Sequence, residues 1–304
     1  MNDSTHRYSG IFPKKGWARR SYRFWRHRVI PQMFRQPEGE TLQANTSPPK
    51  KEHVRVTWIG HASFLLQFGE QAIIFDPNWA EWHGPVRRQQ KPGLHLKSLP
   101  EIDLVCVSHA HYDHMHRRSL RAIQAQQGIV VPRGNASLVR QLGFERVTEM
   151  AIWETKEYDG FEVTHTPSHH WGARHGHDTY RDYGGFLVKT PLATIYHAGD
   201  SAYFDGFREI GSRHQIDIAL MPIGAYEAPS GRDVHLNPEE AVQAFLELGA
   251  KTLIPMHHAT FPLGNEAPHE PEERLLQEAD RRGILDKIVV LDAGEGVELR
   301  SCSP

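Results

Sequence analysis

Cysteine is scarce in this chain: Cys106 and Cys302 are the only two in 304 residues, and neither has a CxxC neighbour. That argues against a disulfide framework and against a thiolate zinc site. No apolar run reaches the roughly 18 residues that a membrane-crossing helix needs. The first residues lack the apolar core of a secretory signal. The expectation is a cytoplasmic protein. Charge of one sign is also missing: 24% charged residues sum to a formal −2, so nothing global points to nucleic acid.

Acidic residues are absent locally too. Arg7 to Arg28 holds eight Lys or Arg, no Asp or Glu, and the aromatics Tyr8, Phe12, Trp17, Tyr22, Phe24 and Trp25. One reading is an arm whose aromatics pack on the main domain. The other is a peripheral contact of residues 7–28 with anionic lipid on the inner face of a membrane. Gln36–Lys51, with Pro37, Gly39, Pro48 and Pro49, reads as a linker. Residues 1–53 are therefore set apart as arm and linker, and 54–304 as the main domain.

What is abundant is histidine, at 21 residues, beside a 39% hydrophobic content that can fill a sizeable core. Short apolar runs predict strands at Val54–Ile59, Phe64–Phe68, Ala72–Phe75, Ile102–Val107 and 129–131. Further strands are expected at Phe161–Thr166, Phe186–Lys189, Ala193–Tyr196, Ile216–Met221, Thr252–Ile254, Lys287–Leu291 and Gly296–Leu299. Helical spacing covers His116–Gln127, Phe204–Ser212, Glu270–Arg282 and Pro238–Leu248. The last has an Asn237 cap and ends at Gly249. Runs of strands followed by mixed strands and helices predict an α/β architecture of two packed sheets with helices on the outer faces.

Ile102–Val107 runs directly into His109-Ala110-His111-Tyr112-Asp113-His114. In extended backbone His109 and His111 project to one side; Asp113 and His114 follow as the chain turns. Four ligand-type side chains in six residues suit zinc, and two adjacent ions better than one. Three other expected strand ends carry His or Asp: His169-His170, His197 to Asp200, and His257-His258. Gly199 permits the sharp turn that presents Asp200.

With these motifs the chain resembles the metallo-β-lactamase superfamily, and within it N-acyl-phosphatidylethanolamine phospholipase D. The similar stretches are 56–62, 99–114, 166–171, 198–201, 221–227 with its Gly224-Ala225-Tyr226-Glu227, 235–241 and 257–261. A weaker resemblance is to L-ascorbate-6-phosphate lactonases. The resemblance implies the αββα four-layer sandwich. It also implies a pair of zinc ions, with iron or manganese as alternatives. His109, His111 and His170 would bind one ion, Asp113, His114 and His257 the other, and Asp200 both. His235 would lie near the substrate phosphate, Tyr226 would line the pocket, and Asp113 would also orient the attacking water. His61 and Asp76 are expected to hydrogen-bond ligands from behind. His169 stands where the family has glutamine, and His258 where it has an aromatic. The choice between His257 and His258 as last ligand stays open.

The expected activity is hydrolysis of a phospholipid or related phosphodiester. A lactone or other ester hydrolase and a non-catalytic metal-binding module are the alternatives. A long apolar cleft favours lipid, and a small cationic pocket using Arg174 or Arg181 favours lactone. A homo-oligomer is compatible with the sequence.

Overall fold

Side-chain alternation divides the first strands between two cores. The computed structural model describes residues 16–229 and 231–300. Strands β1 (His53–Gly60), β2 (Ser63–Phe68) and β3 (Gln71–Phe75) form an antiparallel meander. In β2, Phe64, Leu66 and Phe68 enter one core while Leu65 enters the other; in β3, Ile73 and Phe75 oppose Ile74 in the same way. Burial on both faces is why these strands read as continuous apolar runs.

A short hairpin, β4 (Trp82–His83) and β5 (Val86–Arg87), follows. Strands β6 (Leu104–Cys106), β7 (Ile129–Pro132) and β8 (Val147–Met150) then extend the sheet in parallel from β3. The second sheet begins antiparallel with β9 (Thr155–Tyr158), β10 (Phe161–Thr166), β11 (Gly185–Lys189) and β12 (Thr194–His197). It continues in parallel with β13 (Ile218–Pro222) and β14 (Thr252–Met256). Finally β15 (Gly296–Arg300) returns to pair with β1. The result is two mixed sheets, one of seven strands and one of six. Val56, Phe64 and Phe75 of the first share a core with Phe186, Val188 and Leu220 of the second.

Helices α1 (Trp17–Phe24) and α2 (Ile30–Met33) flank a π turn at Trp25–Val29. Helices α3 (Arg117–Arg121) and α4 (Ala136–Val139) cover the outer side of the first sheet through Leu120 and Val139. Helices α5 (Gly206–Arg213), α6 (Pro238–Leu248) and α7 (Glu270–Arg281) cover the second through Phe207, Phe245 and Leu275. This is the four-layer αββα sandwich expected from the sequence. Helix α6 begins as its sequence dictates. Asn237 Oδ1 accepts from Glu240 N at 2.8 Å, Glu240 Oε2 accepts from Asn237 N at 3.1 Å, and Gly249 ends the helix at φ 64°.

Two expected elements are corrected. The helix expected over His116–Gln127 stops at Arg121, because Gln126 N and Gln127 N donate to Ile102 O and Asp103 O at the sheet. The strand expected at Lys287–Leu291 is instead a tight turn, Leu285–Lys287, followed by a single bridge from Ile288 to Leu253. Ile288 N closes onto Leu285 O, which leaves one sheet bond, Val289 N to Leu253 O. Segment 38–42 is held along residues 89–95: Glu38 N bonds Gln89 O, and Leu42 N bonds Gly93 O. Among the described residues no helix is long and apolar enough to cross a membrane.

Candidate metal centre

Strand direction brings the chemistry to one edge. β3 and β6 run parallel, as do β12, β13 and β14, so their C-terminal ends open on a shared rim. Asp76 follows β3, and residues 108–114 follow β6. His170 follows β10, Asp200 follows β12, and His257 follows β14. His61 comes from the β1–β2 turn, and its carbonyl accepts from His257 N at 3.0 Å. His61, Asp76 and His257 all have positive φ (57°, 40° and 61°), a costly conformation for these residues that the surrounding packing maintains. Gly199 is required where it stands. Its φ is 61°, and a Cβ there would lie 2.6 Å from Gly184 O and 3.0 Å from Ser108 Cβ.

Three groups of ligand atoms gather at this rim: His109, His111, His170 and Asp200; His61, Asp113, His114 and His257; and Asp200, His235 and His257. Within the first, His111 Nδ1 lies 2.9 Å from His109 Nε2 and 3.2 Å from His170 Nε2. Asp200 Oδ2 is the common point. It lies 3.8 Å from His109 Nε2, 3.7 Å from His170 Nε2, 3.2 Å from His114 Nε2 and 3.1 Å from His257 Nε2. Asp113 Oδ2 lies 3.8 Å from both His114 Nε2 and His257 Nε2, and 3.0 Å from His61 Nε2.

The groups behind the rings fix their tautomers. His170 Nδ1 donates to Val234 O at 2.8 Å. Ser108 Oγ gives its proton to Asp76 Oδ2 at 2.6 Å, so it accepts from His109 Nδ1 at 2.9 Å. His114 Nδ1 donates to Asp76 Oδ2 at 2.7 Å. With Nδ1 spent on these partners, all three rings turn Nε2 to the centre, where a ligand nitrogen must stand.

Electrostatics separate the groups. Burial, together with neighbouring imidazoles, keeps His111 neutral with a pKa of about 3 and His109 well below its ordinary value. Burial likewise takes His170 down to about 4. At His257 burial opposes the charge, but Asp200 and Asp113 outweigh it and push the pKa up to about 9. At His114 burial is again outweighed, by Asp200, Asp113 and Asp76, and the pKa rises. Asp113 and Asp200 stay ionised: burial disfavours them, but the adjacent imidazoles hold both well below the carboxylate range. Buried and without hydrogen-bond partners stand His111 Nε2, His114 Nε2, His257 Nε2 and Asp200 Oδ1. Converging lone pairs, ionised carboxylates and orphaned buried atoms fit divalent cations. This is a binuclear His/Asp site.

The remaining expected residues fall as follows. His235 joins the rim, with Nδ1 3.9 Å from Asp200 Oδ2; burial keeps it neutral. His258 lies outside the three groups; its ring stacks on Trp58 at 5.0 Å. His169 lies outside them too, its backbone N donating to Ser201 Oγ. Tyr226 directs its hydroxyl to Glu270 Oε1 at 2.9 Å, on α7. Arg181 is spent on Asp178 and Gly134 O, and Arg174 on Ala110 O and Met115 O.

Sequence reasoning missed Asn78, His83 and Arg88. Asn78 Nδ2 donates to Asp113 O at 2.6 Å and meets His83 Nε2 at 2.9 Å. Arg88, fully buried, donates to Asn78 O and Ala80 O. The signal was available for Asn78, which sits two residues past Asp76 at another strand end. Arg88 carried none.

A sequence profile described as "Beta-lactamase superfamily domain" matches residues 71–258. An uncharacterized protein of Mycobacterium tuberculosis is 33% identical over 241 residues, covering 74% of this chain and 64% of that protein. The chain thus spans somewhat under two thirds of that relative's length. N-acyl-phosphatidylethanolamine-hydrolyzing phospholipase D 1 of Caenorhabditis elegans is 31% identical over 264 residues, 79% of this chain and 74% of that protein. Among solved structures, Igni18, a metallo hydrolase of Ignicoccus hospitalis, superposes with a TM-score of 0.62 at 22% identity, covering 82% of this chain and 99% of that one.

Proposed function

The chain belongs to the metallo-β-lactamase superfamily, and from its two-sided His/Asp cage we propose that it is a zinc-dependent hydrolase of phosphodiesters, phospholipids among them. One observation carries this reading: a single carboxylate oxygen, Asp200 Oδ2, lies within 3.8 Å of ring nitrogens from both ligand groups. His109, His111 and His170 would hold one cation, Asp113, His114 and His257 the other, and Asp200 both. Such a pair supplies an activated water and offsets the charge that develops on the ester oxygens.

The protein's own groups do the rest. His61 Nε2 fixes Asp113 Oδ2 at 3.0 Å, which leaves that carboxylate oriented toward the rim. His235, held neutral, can donate a hydrogen bond to a phosphate oxygen or the leaving group. Ser108 and Val234 keep His109 and His170 in the ligand tautomer. Trp171 packs its ring edge-on 4.3 Å from His111 and steadies that imidazole.

A phosphodiester is favoured over a lactone by the fate of the two arginines. Arg181 is locked in a buried pair with Asp178, and Arg174 is half-buried against two backbone carbonyls. The pocket beside His257 joins Phe261, Pro262, Leu263 and Pro268 to the polar Arg28, Gln89 and Glu266, a mixed lining that offers both an acyl contact and a cation for a phosphate. The phospholipase D relative supports a lipid diester as the first substrate to try. The test is product analysis with metal-loaded protein on a panel of phosphodiesters, phospholipids and lactones. Turnover of phosphodiesters is expected; turnover of lactones alone overturns the reading.

A further inference from the structure

The described part of the basic-aromatic segment has an inner and an outer face, and a π turn creates them. In a regular helix, side chains four apart drift about 40° around the axis with each step. The wider turn at Trp25–Val29, where Ile30 N reaches back to Trp25 O, offsets that drift. Tyr22, Arg26, Ile30 and Phe34 consequently stay on one outward stripe. Tyr22 is 63%, Ile30 49% and Phe34 81% exposed. Trp25 flanks them at 41%, and Arg19, Arg23 and Arg35 are exposed beside them. No acidic residue occurs from Gly16 to Pro37.

The inner face is fastened to the domain. Phe24 and Val29 are buried. Arg28 donates Nε and Nη2 to Asn265 O at 3.0 and 2.5 Å, and Gln32 donates to Arg88 O at 3.0 Å. Arg87 donates to Met33 O and lies over the ring of exposed Trp82, so the apolar surface continues onto the β4–β5 hairpin. Two features place this face beside the metal centre. Arg28 lines the same pocket as His257 and His258. On the hairpin, His83 meets Asn78, which holds Asp113 O.

We propose that this stripe docks the protein on an anionic phospholipid surface and holds the pocket beside His257 at the headgroup layer. Aromatics at the stripe's ends match the preference of such rings for the interface, and an all-cationic flank matches anionic headgroups. Residues 7–15, part of the basic stretch, lie outside the described residues; the stripe itself lies within residues 16–35. The docking does not depend on which ester is hydrolysed.

The test is co-sedimentation of full-length, metal-loaded protein with phosphatidylcholine vesicles, with and without phosphatidylglycerol. Binding is expected only with phosphatidylglycerol and should weaken as salt is raised. Replacing Arg19, Arg23 and Arg26 together by Gln should weaken it about 100-fold. Replacing Tyr22, Ile30 and Phe34 together by Ser should lower it at least about tenfold. Both variants should keep wild-type metal content and melting temperature. Equal binding to both vesicle types, or binding that neither triple replacement changes, overturns the proposal. So does a stripe variant that alters the oligomeric mass while vesicle binding stays the same. Because no turnover is read, failure here leaves the hydrolase reading intact.

Discussion

The two halves of the metal centre meet at Asp200 but are built from different chemistry. Around His109, His111 and His170, the backing groups are a hydroxyl and a backbone carbonyl, and all three rings are held neutral by burial. Around His114 and His257, carboxylates face the rings, and both imidazoles gain basicity despite burial. One half is ready for a cation. The other holds protons that a cation has to displace. Sequence spacing treats the two halves as equivalent, whereas their surroundings do not.

The largest break of the comparison is Asp200→Ala, which removes the oxygen both halves share. Metal content should fall for both sites together, with affinity down more than about 100-fold, since even a partner behind a ligand contributes roughly 10–100-fold. Elemental analysis after dialysis reads this directly. A variant that keeps full metal and rate would show that Asp200 does not join the halves. Next in size, Asp113→Asn and His111→Ala should each remove one equivalent of metal, and from different halves. Spectra of cobalt-substituted protein should differ between the two variants; identical spectra would mean that the halves are not separate sites.

The pH dependence sharpens the contrast. In the metal-free protein His257, its pKa pushed up to about 9, and His114, also raised, hold protons through neutrality, so binding in that half releases protons and affinity should climb with pH across neutrality. In the other half His111 and His170 are already neutral above about 3 and 4, so affinity there should be flat across neutrality. Calorimetric titration in buffers of different ionisation enthalpy counts the protons. Equal release at both sites contradicts the proposed difference. Asp76→Asn is a smaller change. Asp76 accepts from Ser108 and His114 and so backs a ring in each half. Metal affinity should fall roughly 10–100-fold without complete loss of either ion.

The fold was legible because the strands that carry the site are buried on both faces, and apolar runs mark them. The edge strands β8 and β9, Val147–Met150 and Thr155–Tyr158, are half polar and leave no such mark. The ligands were legible for a related reason: a His or Asp directly after an apolar run sits at a strand end, and parallel strands bring such ends together. What supports them was less so. Asn78 and Arg88 act through backbone oxygens, and a hydrogen bond to a carbonyl leaves no residue pattern at the other end. His61 was visible as a turn residue, but its approach to Asp113 spans a sheet. The helix expected to reach Gln127 failed because local spacing cannot register that Ile102 and Asp103 compete for its last donors.

The subtlest distinction is between two adjacent histidines. His257 Nε2 lies 3.1 Å from Asp200 Oδ2, while His258 stacks on Trp58, and neither of its ring nitrogens has a hydrogen-bond partner. His257→Phe should therefore cost one equivalent of metal. His258→Phe should cost none, because a phenyl ring preserves the stack and removes two buried polar atoms that contribute no bond. Its effect should be confined to stability, a gain of about 1 kcal/mol in denaturant unfolding of the metal-loaded protein. Loss of metal from His258→Phe, with metal retained in His257→Phe, would exchange the two roles and move the last ligand by one residue.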